Sequence, residues 1–256
     1  MTRILIVAWT LLIAIAAPAA AQCPRTDALG TARTLVVDPA ATPRVGTKSF
    51  PQTLPLADKE VVLTFDDGPF PATTGPILAA LAKECVQATF FLIGKHATEY
   101  PALVKRIAAA GHTVAHHSLS HLNMEQTAPD VAAADIERGI TADDIALYGR
   151  AATPPPVPFF RFPYFASTPA LLDLMQTRGF AVFGADLWAS DWNPMTPQQQ
   201  LALVTGRLAK ARKGIILFHD PKAQTAAMMP DFLRYLRVNG YRVVHIVPPA
   251  GAPRGG

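Results

Sequence analysis

Two adjacent aspartates, Asp66 and Asp67, end the apolar run Val61–Thr64, and Gly68-Pro69 breaks the chain directly after them. A β-branched run closed by a breaker reads as a buried strand that stops abruptly. Neighbouring side chains on a strand point to opposite faces, so two acids at a frayed strand end can serve one site from two angles. Ionised carboxylates there are costly unless something offsets their charge, and a metal ion is the obvious candidate. The competing reading is a plain Asp-Asp-Gly-Pro turn. Downstream, His117-Ser118-Leu119-Ser120-His121 places two histidines four apart, which would put both on one face of a helical turn. Joined to the acidic pair they make an Asp-His-His set that leaves positions open for water and substrate. His116 is five residues from His121, a poorer angular fit, and is assigned with His112 to structural roles.

Three further stretches carry chemistry. Arg161, in Arg161-Phe162-Pro163-Tyr164, follows an apolar pair and needs an acidic partner, for which Asp66 is a candidate. Asp186-Leu187-Trp188-Ala189-Ser190-Asp191-Trp192 offers two acids and two indoles, material for the wall of a sugar site, or simply core tryptophans with capping aspartates. His219 ends Leu217-Phe218-His219, and a histidine at the carboxyl end of a strand is an acid–base candidate.

Bringing these groups together requires that their strands end on one side of a sheet. Apolar runs predict strands at 61–66, 87–93, 113–115, 159–162, 180–184, 215–218 and 241–246. Periodic stretches predict helices at 77–82, 100–110, 129–148 (Ile136, Ile140, Ile145 and Leu147 apolar), 169–178, 197–212 and 228–238. Prolines open several of them and glycines close several, the usual asymmetry. Strands alternating with helices imply a parallel sheet, hence an α/β fold. About seven such units suit a distorted (β/α) barrel with its site at the carboxyl ends of the strands. Each motif falls just after a predicted strand.

Half of the 256 residues are hydrophobic, enough for one sizeable core. The net charge of +4 comes from scattered lysines and arginines without a nucleic-acid-binding motif, which argues against a nucleic-acid partner. Residues 1–21 read as a secretory signal: Arg3, an apolar run from Ile4 to Ala17, then Ala19-Ala20-Ala21. The mature chain is therefore expected to begin at Gln22, in the periplasm or outside the cell, with no stable membrane anchor. In that oxidising setting Cys23 and Cys85 can form a disulfide, although spacing alone leaves paired and free thiols both open. Residues 22–58, rich in Pro, Thr and Ala, are expected to lie extended on the domain surface, with the domain proper at 59–247 and a tail at 248–256.

Taken in order, TFDDGP at Thr64–Pro69, HSLSH at His117–His121, RFPY at Arg161–Tyr164, DLWASDW at Asp186–Trp192 and LFH at Leu217–His219 resemble the five motifs of the polysaccharide deacetylase family. This is the NodB homology, or carbohydrate esterase 4, group. The resemblance spans roughly Lys59–Val247. Two departures stand out: the fourth motif has its second aspartate five residues after Asp186 where the family usually has three, and Phe165 stands where glycine is frequent. The first makes Asp191-Trp192 the carry-over and leaves Asp186 incidental.

The resemblance implies a hydrolase that removes acetyl groups from N-acetylglucosamine units of a glycan such as chitin or its oligosaccharides, peptidoglycan or poly-N-acetylglucosamine. Asp67, His117 and His121 would hold one divalent metal, usually zinc. Asp66 would be the general base, oriented by Arg161. The Tyr164 N–H would help stabilise an oxyanion. Asp191 would pair with His219 and keep it protonated as the acid, while Leu217 and Trp192 would line the acetyl pocket. The same site could cleave O-acetyl esters, as on acetylated xylan, and a glycan-binding protein without catalysis is the third reading. The expected state is a monomer.

Overall fold

The computed structural model describes Cys23 and residues 25–250. The expected signal segment and the last six residues of the tail, 251–256, lie outside the described residues.

Two strands precede the first motif: β1 (Thr31–Val36) and β2 (Arg44–Val45). Then come β3 (Glu60–Asp66), α1 (Pro71–Lys83), β4 (Thr89–Leu92), α2 (Gly94–Glu99), α3 (Pro101–Ala109) and β5 (Thr113–His116). The second half runs α4 (Pro129–Tyr148), β6 (Phe159–Phe160), α5 (Pro169–Thr177), β7 (Ala181–Phe183) and β8 (Leu187–Trp188). It closes with α6 (Pro197–Ala211), β9 (Gly214–His219), α7 (Ala223–Val238) and β10 (Arg242–Val247). Proline occupies the first turn of α1, α3, α4, α5 and α6, where its missing N–H costs nothing. Thr196 and Gln199 form a capping box at the start of α6. That helix ends on Arg212 in a left-handed conformation (φ 63°).

Among the described residues all strand pairs are parallel, and β3 is their centre. Its residues 61–66 pair with β9 along one edge; on the other, 60–61 pair with β10 and 64–66 with β4. From β4 the sheet continues through β5, β6 and β7, while β8 lies on the far side of β9. β3 to β9 thus make a seven-strand distorted barrel, open between β7 and β8; the expected last strand, 241–246, is β10, which pairs with β1 and the start of β3, and the unexpected short strand β8 takes the seventh place beside β9. The N-terminal segment is no surface lead-in. β1 pairs with β10, β2 pairs with β7, and a Cys23–Cys85 disulfide ties its start to the end of α1.

Alternation along β3 sorts the core into layers. Val61, Leu63 and Phe65 pack outward against α1 and α7, with Phe65 stacked between Phe90 and Phe218 (centroids 4.9 and 5.5 Å). Val62 points inward with Phe91, Ala115, Phe159, Phe183 and Ile215. By the same parity Thr64 and Asp66 continue the inward column to the carboxyl end, so the barrel floor is apolar and its top layer is polar. Of the apolar α4 residues expected, Ile136 and Ile140 are buried, but Ile145 is half exposed because Gly139, Asp143 and Ala146 take the inward stripe instead.

Candidate active site

Asp66 and His219 are register partners across β3 and β9, so parallel pairing alone sets an acid and an imidazole at one level. Asp66 is almost fully buried. Its Oδ1 accepts from Arg161 Nη1 at 2.7 Å, and the same nitrogen donates to Thr64 Oγ1 at 2.9 Å. The rest of the guanidinium is spent on backbone: Nη2 to the Gly184 carbonyl (2.8 Å) and Nε to that of Phe183 (3.3 Å), with the Phe91 ring 4.3 Å from its carbon. Burial lowers the Arg161 pKa and the Asp66 charge opposes that, so the pair stands as a buried ion pair with its donors satisfied.

Asp67 has a left-handed backbone (φ 75°), and its carbonyl oxygen lies 2.8 Å from His96 Nδ1. Its carboxylate Oδ1 lies 3.4 Å from His117 Nε2 and 3.1 Å from His121 Nε2. The two histidines do not ride a helical turn as expected. They flank a loop in which Ser118 and His121 both have positive φ (65° and 58°). Asp135 on α4 holds that loop by accepting from the backbone of Leu119 and Ser120 and from the Ser120 hydroxyl, while Ser118 Oγ accepts from His121 N–H. A helix would have left these polar loop groups unpaired against buried α4, and Gly139 leaves the backbone room to approach: a Cβ there would collide with the Ser118 backbone.

These three residues fit a metal. One ligand atom from each lies within 4.8 Å of the others. His117 Nδ1 is 2.7 Å from the Arg161 carbonyl, which fixes the proton there and frees Nε2 as a lone pair. Asp67 Oδ1 is buried without a hydrogen-bond donor, so acceptor atoms converge where a cation would reconcile them.

His219 Nδ1 lies 2.7 Å from Asp191 Oδ1, and the His219 N–H donates to Asp191 Oδ2 at 2.7 Å. Thr225 Oγ1 and Gln224 Nε2 complete the support of buried Asp191. Burial of the imidazole disfavours its charge, yet the bond to Asp191 and the charges of Asp191, Asp67 and Asp66 push its pKa up to about 9. A raised value means that the protonated form, and the stability it lends the fold, persists below neutral pH and is lost as pH rises through about 9. Asp191→Asn should therefore move the alkaline limb of the kcat–pH profile toward neutrality and lower kcat by about a hundredfold, the usual scale for an acid catalyst. An alkaline limb unmoved by this substitution would remove His219 as the acid.

A cleft of about 630 Å³ opens over these groups. Leu217, Trp192, Phe162, Phe165 and Trp188 line it. Tyr164, with a left-handed φ of 57°, sits on the rim, 65% exposed, with its ring edge-on to His121 at 4.5 Å. His116 and His112 are buried away from the cleft, bonded to Asp143 (2.8 Å) and to the Ala88 N–H (3.1 Å). Sequence reading missed His96, Asp135 and Asp220. Asp220 packs under Gly68, where any Cβ would collide with its carboxylate, and it accepts from Thr74. No local signal marks these three, because each acts on a partner distant in the chain. Asp186 is not incidental. It accepts from Thr47 N–H and Oγ1 (both 2.9 Å), Thr53 Oγ1 (2.6 Å) and the Ile215 N–H (2.7 Å), clamping the segment after β2 to the barrel.

An α/β barrel whose strand ends gather an Asp-His-His set, a buried Asp–Arg pair and an Asp–His pair has the make-up of a hydrolytic site. The polysaccharide deacetylase family model matches residues 54–183, and the chain belongs to that family. It is 36% identical over 189 residues to a chitooligosaccharide deacetylase of Rhizobium leguminosarum bv. trifolii, covering 72% of this chain and 80% of the relative. Among solved structures it resembles a peptidoglycan deacetylase of Bdellovibrio bacteriovorus, with TM-score 0.75 and 33% identity over 86% of this chain. It spans 59% of that longer chain. A family 4 carbohydrate esterase from Streptomyces lividans is also similar (TM-score 0.61, 31% identity, 74% of this chain and 91% of that one).

Proposed function

We propose that this protein is an exported, metal-dependent N-deacetylase that releases acetate from N-acetylglucosamine units of a glycan. The carrying observation is that Asp66 and His219 stand level at the mouth of the barrel beside the converging acceptors of Asp67, His117 and His121. The family and its named relatives support the reaction class. The signal-like residues 1–21 support export.

The division of labour follows from the contacts. Asp67, His117 and His121 would hold the divalent metal, zinc being the expected one, and a bound cation supplies Lewis acidity toward an otherwise unreactive amide. Asp66 keeps Oδ1 on Arg161 and leaves Oδ2 toward His117 (3.9 Å), where it accepts the proton of the attacking water. The Tyr164 N–H donates to the developing oxyanion. His219, charged through Asp191, gives its Nε2 proton to the leaving nitrogen, a group too basic to depart as an anion. Leu217 and Trp192 take the acetyl methyl group and the sugar face.

Purified mature protein supplied with one equivalent of zinc should release acetate from N-acetylated chitooligosaccharides or peptidoglycan strands faster than from acetylated xylan. The reverse preference would make it an O-acetyl esterase. Binding of a glycan without acetate release would make it a lectin-like protein. His121→Ala should lower zinc affinity at least about tenfold in a chelator competition; unchanged affinity would dismiss His121 as a ligand.

A further inference from the structure

Two cations of the cleft have no part in this chemistry. Lys48 and Lys222 both line it, and neither has a carboxylate partner within ion-pair distance among the described residues. The other charges of the site answer one another: Arg161 stands against Asp66, and His219 against Asp191. Asp67 is already matched to the metal position. The lysines therefore leave this wall of the cleft with unspent positive charge.

Both are held in place. Lys222 is the residue before α7, half-buried, and its N–H donates to the His219 carbonyl at 3.3 Å. Lys48 is exposed but sits on a fastened loop. Its own N–H donates to the Ala185 carbonyl (2.7 Å), and neighbouring Thr47 is bound twice by Asp186. Gly46 (φ 106°) packs so closely on Gly184 that a Cβ would meet its carbonyl carbon at 2.5 Å. This loop crosses beside the opening between β7 and β8. From it the Lys48 ammonium lies 5.0 Å from the Trp188 ring centre, and Trp188 pairs with Leu217 one strand from His219. Arg207 already stacks on the same ring at 5.3 Å and bonds Ser190 and the Trp188 carbonyl. Trp188 thus has a cation without the lysine, and Lys48 adds charge toward the cleft rather than a needed brace. Both lysines stand on the bank of His219, where the sugar carrying the leaving nitrogen must lie. Lys48 also precedes the first residue that the family model matches, so this charge comes from the added N-terminal segment.

We propose that the cleft selects an anionic glycan, with Lys48 and Lys222 receiving a carboxylate carried by the sugar unit beside the N-acetylhexosamine being deacetylated. This rests on the deacetylase reading above. A neutral N-acetylglucosamine oligomer offers these ammoniums only hydroxyls, whereas a strand that alternates with carboxylate-bearing units offers a charge at each neighbour. The same field disfavours a neighbour already deacetylated, because its amine is a cation.

The test compares kcat/KM on three soluble glycans of equal length: N-acetylglucosamine tetramer; the tetrasaccharide alternating N-acetylglucosamine with N-acetylmuramic acid; and that tetrasaccharide with its lactyl carboxylates methyl-esterified. A fourth arm with a stem peptide on the lactyl groups tells sugar carboxylate from peptide carboxylate. For the wild type, the free carboxylate should be favoured over its ester, and that advantage should shrink as salt rises, since exposed charge pairs are screened. Lys48→Gln and Lys222→Gln should each raise KM for the carboxylate substrate about fivefold more than for the ester, the scale of one partly exposed pair. Lys48→Arg should restore it. Equal effects on acid and ester, or a preference indifferent to salt, would overturn the proposal while leaving the deacetylase intact. Advantage only with the peptide attached would also overturn it as stated, moving the recognised charge off the sugar. No acetate from any arm would remove the deacetylase reading, and this inference with it.

Discussion

Replacing Asp66 with asparagine should lower kcat about a thousandfold, within the range for loss of a general base, while the protein still takes up one metal equivalent. The expectation comes from the separation of roles in the geometry. Asp67, His117 and His121 gather their acceptor atoms within 4.8 Å, and Asp66 is not in that group. The amide that replaces the carboxylate can still accept from Arg161 through its carbonyl, which keeps that hydrogen bond although the buried guanidinium loses its counter-charge. It cannot take a proton from water, and loss of a general base costs roughly a hundred- to ten-thousandfold. Metal content by mass spectrometry and turnover by acetate release separate the two roles. A variant that keeps more than about a tenth of wild-type kcat would mean that another group is the base. A variant that loses the metal would make Asp66 a ligand.

Removing Arg161 should damage the fold more than any other single change at the site. Its guanidinium is fully buried, and it joins Asp66 at the end of β3 to the carbonyls of Phe183, the last residue of β7, and of Gly184 just after it. Arg161→Met leaves the Asp66 charge buried without its partner, a defect worth about 3–5 kcal/mol. For a chain of this size that corresponds to a fall in Tm of roughly 10 °C. The double variant Arg161→Met with Asp66→Asn should recover part of the loss, because the stranded charge is gone and the two effects are coupled. Thermal unfolding of the three variants checks this. A single-variant cost under about 1 kcal/mol, or strict additivity, would show that the pair is not the structural hinge of the site.

Much of the site was legible in the chain because strand ends and turn breakers are local signals. The run Val61–Asp66 with Gly68-Pro69 marked a strand and its stop, and β3 ends at Asp66. Pro129–Tyr148 matched α4 because a proline at its start and Gly149 at its end bracket it. Several short strands stop before the ends of the apolar runs that predict them. Phe159–Phe162 shrank to Phe159–Phe160, since Arg161 turns inward to Asp66 and Pro163 begins a 3-10 turn. No local signal marks α2, as its six residues carry no apolar stripe. The His117–His121 spacing suggested a helical turn for sound reasons of periodicity. Contacts from Ser120 to Asp135, 15 positions away, made it a loop.

Residue types and order by themselves determined the kind of chemistry: acids after a strand, two histidines at ligand spacing, an arginine and a histidine at later strand ends. They also determined the alternation that makes a parallel barrel. Tertiary structure alone decided which side chains meet. Parity along β3 turns Asp66 inward to Arg161, while a left-handed backbone at Asp67 swings its carboxylate to the histidines. Register with β9 sets His219 opposite Asp66, and Asp186 ties the N-terminal segment down so that Lys48 reaches the cleft. The reason is physical: element formation depends on near neighbours in the chain, whereas convergence depends on register and packing between segments far apart in sequence.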